Sequence, residues 1–346
     1  KLEQEEEQRK KLELLKQQEL ARKRKEEELK IKKQQDELKR KEEEAKGNIG
    51  ITNFSGIEKD FFKYKQDIIQ IKETVKEPLF ADKALKQLTN KYKRKINPKF
   101  GQLTNSGSKL NEITNEIYQL ISEVKSQLNE LAYNFILNFI AKEIISQAEV
   151  EIIVKPQHSI PLAKLALNLL ILFPDLKYYL IARFVKKCPY LIGYTCSIDT
   201  EEGRLRMGWK RRDNKWEEET KYNERIGGIV TLYSVMTRLS IKDVANDKPH
   251  PLPISYSWLF LSRLLNLPLD RLQNVHFFIV CNWWESCCKE FLQLYGLQLR
   301  KILNLIISDW LELVKDQKFN GCIRLKILGE DWLQHSKIES FKEMDP

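Results

Sequence analysis

Four groups of basic residues are the part of this sequence whose types and spacing could do chemistry. Lys91–Lys99 reads KYKRKINPK, with four Lys/Arg ahead of its proline and one after it. Lys142 stands toward the polar side of a mostly apolar stretch. Arg183, Lys186 and Lys187 fall three and four residues apart, so Arg183 and Lys187 share a helix face. Lys210, Arg211 and Arg212 follow Trp209 in a segment that reads as a loop. Lysine and arginine from separate elements can converge on phosphate oxygens through charge-assisted hydrogen bonds, so the chemistry on offer is capture of a polyanion. Taken singly, each group also suits a solvated face or a helix C-terminus whose dipole favours cations. Several such groups on one domain shift the balance toward a site.

Other chemistry is hard to find. The chain has no glycine-rich phosphate loop, no Gly-x-Gly-x-x-Gly and no Gly-x-Ser-x-Gly elbow. None of His158, His250, His276 and His335 has a His or Cys at metal-ligand spacing, and adjacent Cys287-Cys288 cannot form a relaxed zinc knuckle. Cys188, Cys196, Cys281 and Cys322 lie in apolar surroundings and read as small buried hydrophobes, and His276 as a satisfied core histidine. No acid/base pair stands out, so an enzyme is disfavoured. Most aromatics (Phe135, Phe139, Trp258, Phe277, Trp310) sit on apolar faces, which leaves Trp209 and Trp216 as candidates for stacking on single-stranded nucleic acid.

The elements that must position these cations are helical. Apolar residues recur at three-and-four spacing, which predicts helices over Ile57–Lys76, Asp82–Ile96 (closed by Asn97-Pro98), Leu110–Glu149, Pro161–Phe173, Asp175–Val185, Arg225–Leu239, Ile254–Leu265, Glu285–Tyr295, Leu297–Lys315 and Gly321–His335. Pro161–Phe173 is apolar nearly all round, as a central helix would be. Tyr190–Ile198 is the best strand candidate. The expectation is an all-α fold, a HEAT-repeat-like stack of antiparallel helices without fixed-period self-similarity. Residues 1–46 are predicted to be a long charged helix, the end of a coiled-coil region. They lack Gly and Pro and pair opposite charges three and four apart, but hold no clean heptad. Residues 47–56 read as a linker and 57–346 as the globular domain.

Of 346 residues, 42% are hydrophobic, and the net charge is +10. Residues 1–46 hold 16 Lys/Arg and 14 Asp/Glu, a net +2, so the remaining +8 belongs to the globular part, where it would concentrate anionic partners. Ten percent aromatics and seven Trp exclude a disordered chain. Six Cys are too sparse for a disulfide scaffold, and no apolar run approaches the roughly 18–20 residues that cross a bilayer. A soluble, intracellular, reducing setting without membrane insertion is expected, and the start at Lys marks a fragment.

A long ordered set of uncommon words then identifies a relationship. Phe184–Cys196 (FVKKCPYLIGYTC), Ile198–Arg204 (IDTEEGR), Met207–Arg211 (MGWKR), Asn214–Glu217 (NKWE) and Tyr222–Gly228 (YNERIGG) resemble the C-terminal domain of the GLFG-lethal nucleoporin family, mRNA export factors of the nuclear pore. Lys95–Leu103 (KINPKFGQL), Gln147–Glu149, Trp283-Trp284 and Glu339–Phe341 match in the same order, so the resemblance covers roughly residues 50–346.

The resemblance implies a helical stack similar to the middle domain of the translation-initiation scaffold, with no catalytic activity. It implies that inositol hexakisphosphate bridges the domain to a DEAD-box ATPase at the cytoplasmic face of the pore. The domain would stimulate that ATPase by holding its lobes apart, which promotes RNA release and mRNP remodelling. It further implies a Phe-Gly nucleoporin on the C-terminal helices, contacts with translation initiation and termination factors in the cytoplasm, and self-association through the N-terminal helical region. Carried over position by position, the phosphate-binding residues fall on Lys95, Lys142, Arg183, Lys186, Lys187 and Lys210. Ser146 stands where the family site is variable and sometimes basic. The reading from another class is a helical scaffold whose basic face binds RNA directly.

Overall fold

Capping and packing, rather than the hydrophobic period alone, decide where these helices begin and end. The computed structural model describes residues 19, 22, 23, 52–242, 247–336, 338–342 and 344. The chain divides into two units, residues 1–53 and 54–346. In the first, Glu19, Arg22 and Lys23 are helical and Lys23 pairs with Glu19 at 3.3 Å, an i,i+4 contact. The rest of the charged helix expected over 1–46, and the linker as far as residue 51, lie outside the described residues.

The second unit is an all-helical stack. Helix α1 (Phe54–Ile71) continues through a π-helical turn (Lys72–Lys76) into α2 (Glu77–Ala81), followed by α3 (Lys83–Phe100) and α4 (Gly107–Gln127). Next come α5 (Glu130–Val154), α6 (Ser159–Leu172), α7 (Leu176–Lys187) and short α8 (Glu201–Arg206). A two-residue hairpin, β1 (Arg211–Arg212) with β2 (Lys215–Trp216), leads to α9 (Glu219–Arg238), α10 (Ser255–Leu265), α11 (Asn274–Tyr295), α12 (Leu297–Leu305) and α13 (Asn320–His335).

Helix α5 is the centre of the half that matters here. Phe135–Ala141 is buried without a break, as are Ile144, Ile145 and Ala148, and the helix packs on α3, α4, α7 and α9. Helix α9 in turn packs on α5, α6 and α11, and α11 on α13, so the core is continuous from one end of the unit to the other. No described helix is long and apolar enough to cross a membrane.

Four expectations change. The single helix over Leu110–Glu149 is two, because Asn129 adopts an extended backbone and its side chain accepts the Ala132 N–H at 2.9 Å, starting a new helix. The helix expected to stop at Ile96 runs on to Phe100 with Pro98 in its last turn, where only a single ladder hydrogen bond is lost. Helix α11 begins at Asn274 rather than Glu285; Val275–Trp284 is apolar almost all round, which hides the period, and a Gln273–His276 capping box opens it. Tyr190–Ile198 is not a strand. Pro189–Ile192 is a 3₁₀ turn ended by Gly193 at φ +76°, and its alternating aromatics are core anchors, with Tyr194 stacked on Phe61 at 3.9 Å and the Tyr190 and Tyr222 hydroxyls 3.0 Å apart. His276 is a fully buried core histidine, but only half satisfied: Nδ1 closes its capping box, whereas buried Nε2 has no hydrogen-bond partner among the described residues.

Ile144 lies fully buried on α5. Ile144→Ala should cost about 2–5 kcal/mol through lost burial and the cavity left behind. Urea unfolding would show this as a lower midpoint at unchanged slope.

Candidate anion-binding site

A helix buried on almost every side leaves little room for polar side chains. On α5 three of them fall on a line: Asn138, Lys142 four residues on, and Glu149 seven beyond that, while Glu143 and Gln147 reach the surface on another side. The C-terminal end of α7 lies against this line, with Arg183 followed by Lys186 and Lys187 in the last turn. Arg183 is only 9% exposed, and its Nε and Nη2 donate to the Asn138 amide oxygen at 3.3 and 2.8 Å. A neutral amide thus orients this guanidinium, and among the described residues no carboxylate pairs with it. Burial pushes its pKa down from the usual value, although a guanidinium keeps its proton in any accessible range.

Lys142 and Lys186 share that situation. Among the described residues neither makes an ion pair within 4.0 Å. Protein atoms crowd the Lys142 ammonium although its side chain still reaches solvent. This desolvation, together with the charges of Arg183, Lys76, Lys186 and Lys93, pushes its pKa down to about 8. Lys186 is pushed down by the same desolvation and by Arg183 and Lys187.

The neighbouring half of the cluster is organised differently. Gly208 takes φ +81°, and a Cβ there would stand 2.6 Å from the Lys187 carbonyl oxygen, so only glycine lets the 207–210 loop close onto the end of α7. That approach brings Lys210 beside Lys187. Both ammonium groups reach the Glu149 carboxylate, Lys210 Nζ at 3.1 Å from Oε2 and Lys187 Nζ at 3.5 Å from Oε1. Arg225, buried at the start of α9, completes the set at 3.0 Å from Glu149 Oε1. It also pairs with Glu217 and donates to the Gly208 carbonyl at 2.9 Å. Burial alone would raise the Glu149 carboxyl, but Lys187, Arg225 and Lys210 hold it below the ordinary carboxylate range. Burial outweighs Glu149 at Lys187, whose pKa is lowered.

Five of the six predicted residues therefore form one run: Lys142, Arg183 and Lys186, then Lys187 and Lys210. Lys95 leans on a neighbour of its own helix. Its ammonium lies 5.5 Å from the Tyr92 ring centroid, and Tyr92 turns toward α4 through a 3.0 Å hydrogen bond to Gln127. From the same cluster it is Lys93 that faces α5, 5.0 Å from the Phe139 ring centroid and within the field acting on Lys142. Arg211 is engaged by Glu201, and exposed Arg212 approaches Asp213 at 3.7 Å. Lys76, Lys93, Glu149, Arg225 and Asn138 were not singled out as site residues from sequence. The polar interruptions at 138, 142 and 149 of an apolar helix are the signal that could have found two of them. Trp209 is buried and stacked on Tyr222 at 4.1 Å, and Trp216 is half-buried with the Arg204 guanidinium 5.5 Å from its ring. These rings serve as loop anchors rather than an open stacking surface. Among the described residues no three His, Cys, Asp or Glu side chains gather as a metal site.

A family model described as GLE1-like protein matches residues 66–307. The mRNA export factor GLE1 of Saccharomyces cerevisiae is 48% identical over 299 residues, which cover 86% of this chain and 55% of that protein. The mRNA export factor gle1 of Schizosaccharomyces pombe is 35% identical over 278 residues, 77% of this chain and 55% of that protein. The chain thus spans about half the length of these curated relatives. A solved structure of a variant S. cerevisiae Dbp5 C-terminal domain bound to Gle1 and IP6 contains a chain 48% identical to this one, with TM-score 0.82, covering 85% of this chain and all of that one.

Crowded cations make the site costly to fold. The unfolded chain holds the Lys142 proton up to the ordinary lysine range, whereas the folded chain gives it up near pH 8. Between those values the unfolded state binds more protons, so stability rises with pH. Lys142→Met should raise Tm by roughly 1–3 °C at pH 7, and the gain should shrink as pH rises through about 8 and beyond, read by thermal melts across that range.

Proposed function

The chain belongs to the GLE1-like protein family, and on that premise we propose that it is a non-catalytic mRNA export factor of the nuclear pore's cytoplasmic face. In this reading it binds inositol hexakisphosphate and, with that ligand, docks on and stimulates a DEAD-box ATPase, separating the ATPase lobes and promoting RNA release and mRNP remodelling. The observation that carries the reading is the run from Lys142 to Lys210, in which Lys142, Arg183 and Lys186 crowd together with no carboxylate paired to them among the described residues.

The residues fit such a ligand. Inositol hexakisphosphate would supply several negative charges in one compact body. Arg183, pinned by Asn138, and Lys142 and Lys186 beside it would hold one part, and Lys187 and Lys210 another. Lys95 would join from α3 only with a change of its side-chain direction away from Tyr92. Because the cations are already assembled, little conformational freedom is lost on binding. Their mutual repulsion would be relieved, and a second basic surface could then approach without like-charge penalty. Large apolar side chains left exposed toward the C-terminus, Leu297, Ile323 and Ile327 among them, support a protein partner there, which we assign to the Phe-Gly nucleoporin. The packed state of Trp209 and Trp216 weighs against direct capture of RNA by stacking.

Replacing Lys186 and Lys187 with Gln in the full chain should lower ligand-dependent stimulation of the ATPase about tenfold or more, a loss of roughly 1.4 kcal/mol or more of binding. Circular dichroism should show an unchanged helical fold. Stimulation equal to that of the wild type would remove these residues from the site.

A further inference from the structure

The cations of the site differ in what already satisfies them. Among the described residues Lys142, Arg183 and Lys186 have no carboxylate within ion-pair distance, and the Glu143 carboxyl meets Lys142 only through its field. Lys187 and Lys210 share the Glu149 carboxylate with Arg225. We propose that Glu149 is a resident counter-ion that sets ligand specificity, closing the Lys187–Lys210 half of the site to small anions and admitting only a polyphosphate that grips the other half at the same time. This deepens the inositol-phosphate reading above and rests on it.

That carboxylate is fixed in place by its helix and by Arg225. Its side chain is 8% exposed and springs from the buried central helix. Arg225, 5% exposed, grips one oxygen and is itself tied to Glu217 and to the Gly208 carbonyl. Glu149 therefore cannot swing aside when an anion arrives, and its depressed pKa keeps it charged at neutral pH.

A small anion reaching only Lys187 and Lys210 meets two ammonium groups that already have a partner. It also meets a like charge behind them, and its net gain is small. A larger polyphosphate is held first by Lys142, Arg183 and Lys186. Its remaining phosphates then meet Lys187 and Lys210 as an intramolecular event at high effective concentration, which outweighs the resident carboxylate. One fixed negative charge thus converts a generally basic patch into a site that discriminates by ligand size and charge.

The test is calorimetric titration of the full chain and its Glu149→Gln variant with two probes, pyrophosphate and inositol hexakisphosphate. The expected result is that the wild type takes one pyrophosphate, on its Lys142–Arg183–Lys186 half, that Gln opens a second pyrophosphate site on the Lys187–Lys210 half, and that hexakisphosphate stays at one per chain. Two pyrophosphates on the wild type would show that half already open to small anions. No second pyrophosphate on the variant would make Glu149 only a support for the lysines. Either result overturns the proposal. Should the variant lose its helical signal, Glu149→Gln combined with Arg225→Gln removes both members of the buried pair, and the same stoichiometries decide. Failure of the wild type to bind hexakisphosphate would instead sink the functional reading on which this rests, a result distinct from any change in the pyrophosphate stoichiometry.

Discussion

Burial of helix α5 on nearly every side is the constraint from which the site follows. A helix so apolar must lie at the centre of its neighbours, and the polar side chains it turns toward α7 and the 207–210 loop are those of the Asn138–Lys142–Glu149 line. The last turn of α7 covers part of that line and the 207–210 loop covers the rest, so cations from three separate stretches are pressed together by packing. Their repulsion does not have to be favourable. It has only to cost less than the apolar burial that enforces it.

Two solutions to that crowding sit side by side. Where Glu149 is present, three cations share a carboxylate and the group is a stabilising network anchored by Arg225. Where it is absent, Arg183 is held by a neutral amide and Lys142 gives up part of its hold on a proton. A site that is strained in charge but fixed in geometry suits an electrostatic bridge, because its ligand repairs the charge without having to order the chain. The chain belongs to the GLE1-like family, and similar structures are of Gle1 bound to Dbp5 with IP6, the setting in which the proposed bridge would have a partner.

The helical character and the cations of the site were legible in the sequence for specific reasons. Arg183, Lys186 and Lys187 declared themselves by spacing at a helix end, and Lys142 by standing toward the polar side of a mostly apolar stretch. Lys95 and Lys93 are two residues apart on one helix and so point in different directions, which composition cannot distinguish; only the packing of Lys93 on Phe139 does. Glu149 was one carboxylate among many until its three partners, drawn from α7, the loop and α9, were placed around it. The break at Asn129 carried neither Gly nor Pro, and a side-chain cap alone makes it. The alternation in Tyr190–Ile198 looked like a strand because a tight turn that anchors aromatics into the core on two sides produces the same pattern.

The central claim is that packing assembles an undercompensated cation cluster whose natural complement is a compact polyphosphate. Calorimetric titration of inositol hexakisphosphate into the full chain, at low and at physiological salt, tests it most directly. Tight binding is expected at low salt, weakening steeply as salt is raised, because several partly exposed ion contacts are screened together. Binding indifferent to salt, or no binding at either concentration, would contradict it.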